Sequence, residues 1–515
     1  MPDVDWNALI VFTALFGLVA WMGFAASRWR SGDLNLLHEW GLGGRRFGTA
    51  MTWFLIGGDL FSAYTFIAVP ALAFGAGAVA FFAVPFTLVG FVFMFVVCPR
   101  IWHVCHKHNY ITAGDFVRGR FGNRWLALAV AATGIVATMP YLALQLVGLQ
   151  VIVGALGISG SGLAADLPLV IAFLIMAAFT YSSGLRAPAS IAIVKDILIY
   201  ITGFAIMIAV PIKLGGFAKI FAAVPPSKLL LAVPGPAGTG AYSAYSTLIL
   251  GSALAIIVYP HCMTGVLSAS SGRAVRRNAA LLPAYALLLG LLVLSGFFAI
   301  AAGVAGLPEF AQGFKTFGNN FAVPALILHS FPSWFVGIAF AAIGIGALVP
   351  AAIMSIAAAN LYTRNIHRAF FNKNPTDREE ARMAKRISLI VKFGALGFVI
   401  LLPTPYMVDL QLLGGVWIIQ TLPAVVMGAY TRWFNGWALL VGWAAGIAAG
   451  TAMAVEGKLT PTYPLQFAGY VFPGYTALYS VILNVVLAIG LTAALNALSA
   501  RRASFDETVP SDYYA

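Results

Sequence analysis

Charge is scarce in this chain. Only 9% of its 515 residues are Asp, Glu, Lys or Arg, where soluble domains carry about a quarter, and the mean hydropathy of +0.91 excludes a water-soluble globular fold. Cysteine is nearly absent as well. Cys98, Cys105 and Cys262 all fall at or near the cytoplasmic face in the topology below, which excludes a disulfide framework. The chain lacks the period-two alternation that barrel strands require. It also lacks a basic segment before its first apolar run and a small-residue cleavage signal after it, so MPDVDWN leads into a retained helix and not a signal peptide. What is present in quantity is apolar residue, 61% of the chain, in runs of roughly 20, the length that crosses a bilayer. These features describe an all-α polytopic membrane protein with no separate soluble domain.

About 13 runs meet the ~20-residue criterion: 8–26, 50–72, 78–98, 125–153, 167–184, 189–211, 247–267, 279–303, 334–362, 387–402, 406–428, 433–454 and 473–497. The net charge of +13 would point to nucleic acid in a soluble protein, but here its placement matters more. Alternate connections collect the basic residues: Arg28, Arg30, Arg45 and Arg46; Arg100, Lys107, Arg118, Arg120 and Arg124; Arg186; Arg273, Arg276 and Arg277; the segment 364–386; Arg432; and Arg501 with Arg502. The intervening loops hold only Lys213, Lys219, Lys228, Lys315 and Lys458. The positive-inside rule then sets the N-terminus outside and the C-terminus in the cytoplasm of a plasma (inner) membrane protein, and an odd number of spans agrees. The outer loops 213–246 and 304–333 are rich in Pro and Gly and have room for short gating helices. The tail SFDETVPSDYYA is expected to be disordered. No nucleic-acid partner and no obligatory protein partner is indicated, the bilayer itself apart.

The second span contains IGGDLFSAYTFIAVPA, Ile56 to Ala71. Paired glycines ahead of a polar patch weaken the helical ladder and favour a broken helix, whose freed carbonyls and half-helix ends can hold an ion. A kinked packing helix is the bland reading; Asp59 favours the functional one, because an acid inside a span is costly unless it is used.

The order of these features resembles the sodium:solute symporter family over nearly the whole chain. GDLFSAYTFIAVPAL is similar to the corresponding helix of acetate, pantothenate and related permeases, and ITAGDFVRGRFGNR to the loop before the fourth span. SSGLRAPASIAIVKDILIY, YPHCMTGVLSASS, LYTRNIHR and LPAVVMGAYTRWFNGWALLVGWAAG follow in family order, and GALVPAAIMSIAAANLYTRN looks like the bacterial monocarboxylate (pyruvate/lactate) permease branch. The resemblance implies a LeuT-type core of two inverted five-helix repeats over residues 48–428. A first peripheral helix and basic loop would precede it over 1–47, two peripheral helices would follow over 429–500, and the tail would cover 501–515.

The resemblance also implies a cation site built from helix carbonyls at Gly58, Phe61 and Gly346 and two adjacent hydroxyls, and here those last two positions hold Val349 and Pro350. A hard cation wants several oxygen ligands, so their loss should weaken sodium binding severely. The family's Thr-Asp pair on the sixth span is here Lys195-Asp196. The Lys195 ammonium can take the place of sodium and, as a titratable amine, bind and release a proton, with Asp196 and Asp59 as partners. Alternatively Lys195, only ~12 Å from the cytoplasmic end of its helix, snorkels to the surface, as Lys392 near the start of the tenth span is expected to do.

For a small carboxylate the cavity-facing candidates are Ser62, Tyr64, Thr65, Tyr141, Gln145, Tyr259, His261, Asn360, Trp417 and Gln420, each of which has an interhelical hydrogen bond as its bland reading. His261 titrates near neutral pH in its free form and can donate to a carboxylate. Where the family often has an arginine five residues after Pro260, this chain has Gly265. In RIWHVCHKH, His103, Cys105, His106 and His108 are zinc-type ligands, but too crowded for a usual structural site, so no metal centre is expected.

The leading reading is a secondary symporter importing short monocarboxylates, coupled to a proton in preference to sodium and using no cofactor beyond that cation. The alternatives are a sodium-coupled symporter of acetate, an amino acid or another small solute, and a transporter-like membrane sensor, for which no signalling module is appended. A membrane enzyme would need a clustered catalytic set, which is missing.

Overall fold

The computed structural model describes residues 4–28, 32–158, 163–235, 238–401, 407–498 and 505–514, which form an almost wholly helical bundle. Arg30, Arg501, Arg502, the junction 402–406 and the start of the tail lie outside the described residues. From the N-terminus run α1 (Trp6–Ala25), α2 (Leu37–Leu42), α3 (Thr49–Leu60), α4 (Val69–Ala76), α5 (Ala83–Lys107), α6 (Ala113–Phe121), α7 (Arg124–Ala155), α8 (Leu163–Ser183) and α9 (Arg186–Lys213). The short α10 (Phe217–Ala223) and α11 (Pro226–Leu229) precede α12 (Gly240–Ile256), α13 (Pro260–Ser268), α14 (Gly272–Leu281) and α15 (Pro283–Ala301). Then come α16 (Ala311–Phe317), α17 (Ala322–Ser330), α18 (Ser333–Leu361), α19 (Asp377–Leu401), α20 (Met407–Ile418), α21 (Gly428–Tyr430), α22 (Gly436–Glu456) and α23 (Thr476–Leu498). Both long loops rich in Pro and Gly, 213–246 and 304–333, thus carry short helices.

Among the described residues, nine helical segments are long and apolar enough to cross a membrane, ten when α12 and α13 count as one span bent by 48°. The remaining expected spans fall short for local reasons. The second breaks after Leu60, the apolar part of α8 is confined to Leu167–Ser183, and α19 begins with the charged DREEARMAKR.

Burial separates centre from edge. The span containing α18 is 94% buried within the protein, whereas those of α1 and α23 are 17% and 22% buried and expose their apolar side chains. A helix hydrophobic all round and buried all round belongs at the middle of a bundle, and α18 packs against α7, α9 and α13 there.

Two features depart from expectation. The connection between α22 and α23 is a β-hairpin, β1 (Thr462–Phe467) with β2 (Tyr470–Tyr475), paired from Thr462↔Tyr475 to Phe467↔Tyr470. Its two-residue turn puts Ala468 and Gly469 at φ 49° and 80°, the left-handed pair that matches strand twist; Pro464 and Pro473 disguise these strands in the sequence. The second departure is the tail, expected to be disordered, whose residues Phe505 to Tyr514 dock instead on the basic end of the bundle. Asp506 accepts from the buried Arg120 Nη1 at 2.8 Å, Glu507 Oε2 from Tyr110 at 3.0 Å, and Asp512 from Lys107 at 2.5 Å and from His108 at 2.7 Å. Acidic residues spaced along a polar tail found a surface of opposite charge, which composition alone does not register.

Candidate functional site

Two interrupted helices meet at the centre. After Leu60 the chain leaves the α-helix at Phe61 (φ −102°, ψ 98°) and resumes through one wide turn, Tyr64–Ala68, into α4. Ser62 Oγ accepts from the Tyr64 amide at 3.3 Å across the gap. The second interruption lies at Tyr259 (φ −60°, ψ 134°), where Pro260 opens α13. Interruptions of this kind release backbone groups that a span otherwise pairs internally.

The released carbonyls are occupied by Lys195. Its Nζ, fully buried, donates to Gly58 O and, at 2.9 Å, to Phe61 O. It also stands 2.9 Å from Asp196 Oδ1, an ion pair, while Asp196 Oδ2 accepts from Tyr285 Oη at 2.5 Å. The snorkelling reading of Lys195 is therefore overturned. A charge at this depth is tolerated because a carboxylate and two carbonyl dipoles face it. The paired glycines are shaped to this cluster: a Cβ on Gly58 would lie 2.8 Å from Lys195 Nζ, and one on Gly57 would run into the Tyr285 ring. Gly346 of α18 faces the same region, with its missing Cβ directed at Ile199 and Ser62.

Beside this cluster, Asp59 and His261 face each other at 3.7 Å, both buried, and neither makes a hydrogen bond among the described residues. The His261 ring packs against Tyr141 and Tyr259 at centroid distances of 5.2 and 5.0 Å. A narrow cavity adjoins it, lined by Phe61, Tyr64, Phe86, Thr87, Tyr141, Ser252, Tyr259, His261, Leu289 and Gln411 among others, with 20 Å³ available to the centre of a water-sized sphere. That is room for a water or two, or for the polar end of a small solute. Tyr64 Oη, Ser252 Oγ and Gln411 Oε1 of its lining are buried without hydrogen-bond partners among the described residues, as are Thr65 Oγ1, next to Tyr64 in the chain, and both amide atoms of Gln145, one turn past Tyr141 on α7. So many unpaired polar atoms in one place are uncommon in protein interiors and point to a ligand.

Of the expected substrate residues, Ser62, Tyr64, Tyr141, Tyr259 and His261 gather at the break or the cavity, and Thr65 and Gln145 follow Tyr64 and Tyr141 on the wide turn and on α7. Three do not. Asn360 donates to Gly41 O of α2 at 3.4 Å, Trp417 to Thr451 of α22 at 3.1 Å, and Gln420 to Ser480 of α23 at 2.8 Å, so each fastens a neighbouring helix. Lys392 is corrected as well: it is fully buried and donates to Ser388 Oγ at 2.7 Å, which in turn faces Ser355. Gly265 has no room for an arginine, because a Cβ there would lie 2.7 Å from Ile56. The histidines of RIWHVCHKH diverge: His106 stacks on Trp102 and His108 holds Asp512.

Several site groups were not anticipated. Tyr285, Thr87, Ser252 and Gln411 carry no local signal in the sequence, since each is a polar residue in a span with nothing nearby to set it apart. Asp115, Arg364 and Asn365 lie in the two motifs ITAGDF and LYTRN, and the structure joins them: Asp115 accepts from Asn365 at 3.0 Å and from Arg364 at 3.3 Å, tying α6 to the helical segment Tyr362–Phe371 that follows α18.

Residues 40–443 match the family described as the sodium:solute symporter family. A "Monocarboxylate transport permease protein" of Rhizobium johnstonii is 49% identical over 509 residues, covering 97% of this chain and 99% of that protein. "Uncharacterized symporter YodF" of Bacillus subtilis is 32% identical over 486 residues, 93% of this chain and 92% of its own length. Among solved structures, a "Substrate-bound outward-open state of a Na+-coupled sialic acid symporter" superimposes with a TM-score of 0.75 over 96% of this chain and 98% of that one, at 14% identity. At that identity the likeness speaks for the fold alone.

Proposed function

Because the chain belongs to the sodium:solute symporter family, we propose that it imports short monocarboxylates, pyruvate and lactate among them, together with a proton and by alternating access. It is a membrane transporter and not an enzyme. The reading includes a LeuT-type core of inverted five-helix repeats within about thirteen transmembrane helices, with the N-terminus outside and the C-terminus in the cytoplasm across the plasma membrane.

The observation that carries proton coupling is the Lys195 amine on the carbonyls of Gly58 and Phe61. The resemblance gives those carbonyls to sodium, and the two hydroxyl positions that would complete a sodium shell are Val349 and Pro350. A protonated Lys195 supplies the charge and the directional donors of a bound cation, and holds α9 against the broken end of α3. Loss of its proton removes the ion pair with Asp196 and two charge-assisted hydrogen bonds, so protonation and helix contact are linked. The name of the 49%-identical relative supports the substrate class. So does the cavity, which is narrow, walled by aromatic rings and bordered by the donors of Tyr64, Ser252 and His261, a set suited to a small carboxylate.

Labelled pyruvate uptake into proteoliposomes tests this, comparing a sodium gradient at constant pH with an inward proton gradient in sodium-free potassium buffer. We expect accumulation with the proton gradient alone, falling at least ~10-fold in Lys195→Ala. Strict sodium dependence, or unchanged proton-driven uptake by Lys195→Ala, would overturn the coupling assignment.

A further inference from the structure

A large cavity lies far from the helix breaks, at the basic end of the bundle, with 560 Å³ open to the centre of a water-sized sphere. It is framed by the end of α5, the start of α14 and the docked tail. Its floor carries Arg100, Arg273 and Arg276, with His103 beside them and no carboxylate among the lining residues. None of the three arginines takes part in an ion pair among the described residues. Three guanidinium groups facing one space without a counter-charge repel one another unless an anion joins them.

The arginines are also held in place. Arg100 Nε donates to Ala429 O at 2.7 Å, and its guanidinium lies over the rings of Tyr430, Tyr513 and Tyr514 at 4.7, 5.1 and 4.5 Å. Arg276 lies over Phe95 at 5.6 Å. The first turn of α14, capped by Ser271, opens onto the same space and adds its positive end.

One side of the cavity is apolar and faces outward. Val96 lines it, and the same face of α5 exposes Val92, Phe95 and Val96 at 64%, 40% and 55% in the absence of lipid. On a membrane helix that face meets acyl chains, so the cavity joins hydrocarbon above to a ring of cations below.

We propose that this cavity binds the phosphodiester headgroup of an anionic phospholipid, with its acyl chains along α5. A soluble phosphate would meet the same arginines but has no use for the outward apolar wall. The second basic cavity, near Arg118 and Arg124, is lined by Arg364, Arg368 and Lys373 as well, with Asp115 and Glu507 offsetting only part of that charge; it differs in lacking an exposed aliphatic wall of the kind α5 supplies.

The test uses the full-length protein in zwitterionic detergent, titrated with short-chain phosphatidylglycerol, with phosphatidylcholine of equal chain length, and with inorganic phosphate, reading thermal unfolding. Arg273 and Arg276 are exposed, so Arg273→Gln/Arg276→Gln should fold, and Arg273→Lys/Arg276→Lys retains the charge. Arg118→Gln/Arg124→Gln removes equal charge from the other cavity. We expect saturable stabilisation by phosphatidylglycerol only. Its affinity should fall roughly 10- to 30-fold in the glutamine pair, recover in large part in the lysine pair, and hold in the control pair. Equal stabilisation by phosphatidylcholine, an equal loss in the control pair, or saturable stabilisation by inorganic phosphate would each overturn the proposal.

Discussion

The central ammonium and its neighbours form a unit in which each member answers for another. Lys195 satisfies the carbonyls of Gly58 and Phe61, Asp196 faces Lys195, and Tyr285 donates to Asp196. Removing one member leaves a buried group without its partner, which costs more than the bond itself contributes. Tyr285→Phe keeps the ring, which packs between Trp53 and Phe61 at 4.6 and 4.8 Å, and deletes only the hydroxyl. It should destabilise the protein by about 1.5 to 3 kcal/mol, the range for a hydrogen bond to a charged group, and lower the thermal unfolding temperature in detergent. An unchanged temperature would mean that the Asp196 carboxylate does not depend on this donor.

At the scale of elements, the interruptions of α3–α4 and α12–α13 are local, because glycine pairs and proline set them, whereas the tail belongs to long-range charge complementarity. Burial works to raise the Asp512 carboxyl, but hydrogen bonds from His108 and Lys107 outweigh it and bring the group down to about 2 from an ordinary 3.8. A carboxyl lowered on docking favours the docked tail fully above its free value and gives up that contribution as pH falls through the docked value. Tail docking should therefore be constant near neutrality and weaken from about pH 4 toward 2. Hydrogen exchange of residues 505–514 should rise across that window. Asp512→Asn should give the raised exchange already at pH 7, and exchange indistinguishable from the unsubstituted protein there would sink the idea. Since Tyr513 and Tyr514 wall the large arginine cavity, a loosened tail also alters that pocket.

Over the whole molecule, charge is distributed by side. The arginine-rich connections, the docked tail and both large basic cavities share one end, while the lysine-bearing loops, the hairpin and α10, α11, α16 and α17 follow the other set of connections. All three cysteines are buried and free, so a single added cysteine reports without background. Lys219→Cys and Lys373→Cys place thiols at exposed sites in loops of opposite expected side. A membrane-impermeant maleimide applied to intact cells should label the first and spare the second until the cells are opened. The reverse pattern would invert the proposed topology.

The sequence by itself determined what depends on composition and short-range geometry, namely most of the bilayer-length apolar runs, the alternation of arginine-rich connections and the break at IGGDLFSA, whereas the break before Pro260 and the seat of Lys195, for which snorkelling was the alternative, needed the fold. It could not decide which way a polar side chain in a wholly apolar helix points. With no amphipathic stripe to orient it, the facing partner is fixed only by how the helix packs in the bundle, mostly against segments tens to hundreds of residues away. For that reason Asn360, Trp417 and Gln420 turned out to fasten α2, α22 and α23, Lys392 proved buried against Ser388, and Tyr285 joined the site unannounced. The tertiary structure alone decided these, and with them the unpaired polar atoms around His261 and the gathering of Arg100, Arg273 and Arg276 about one cavity.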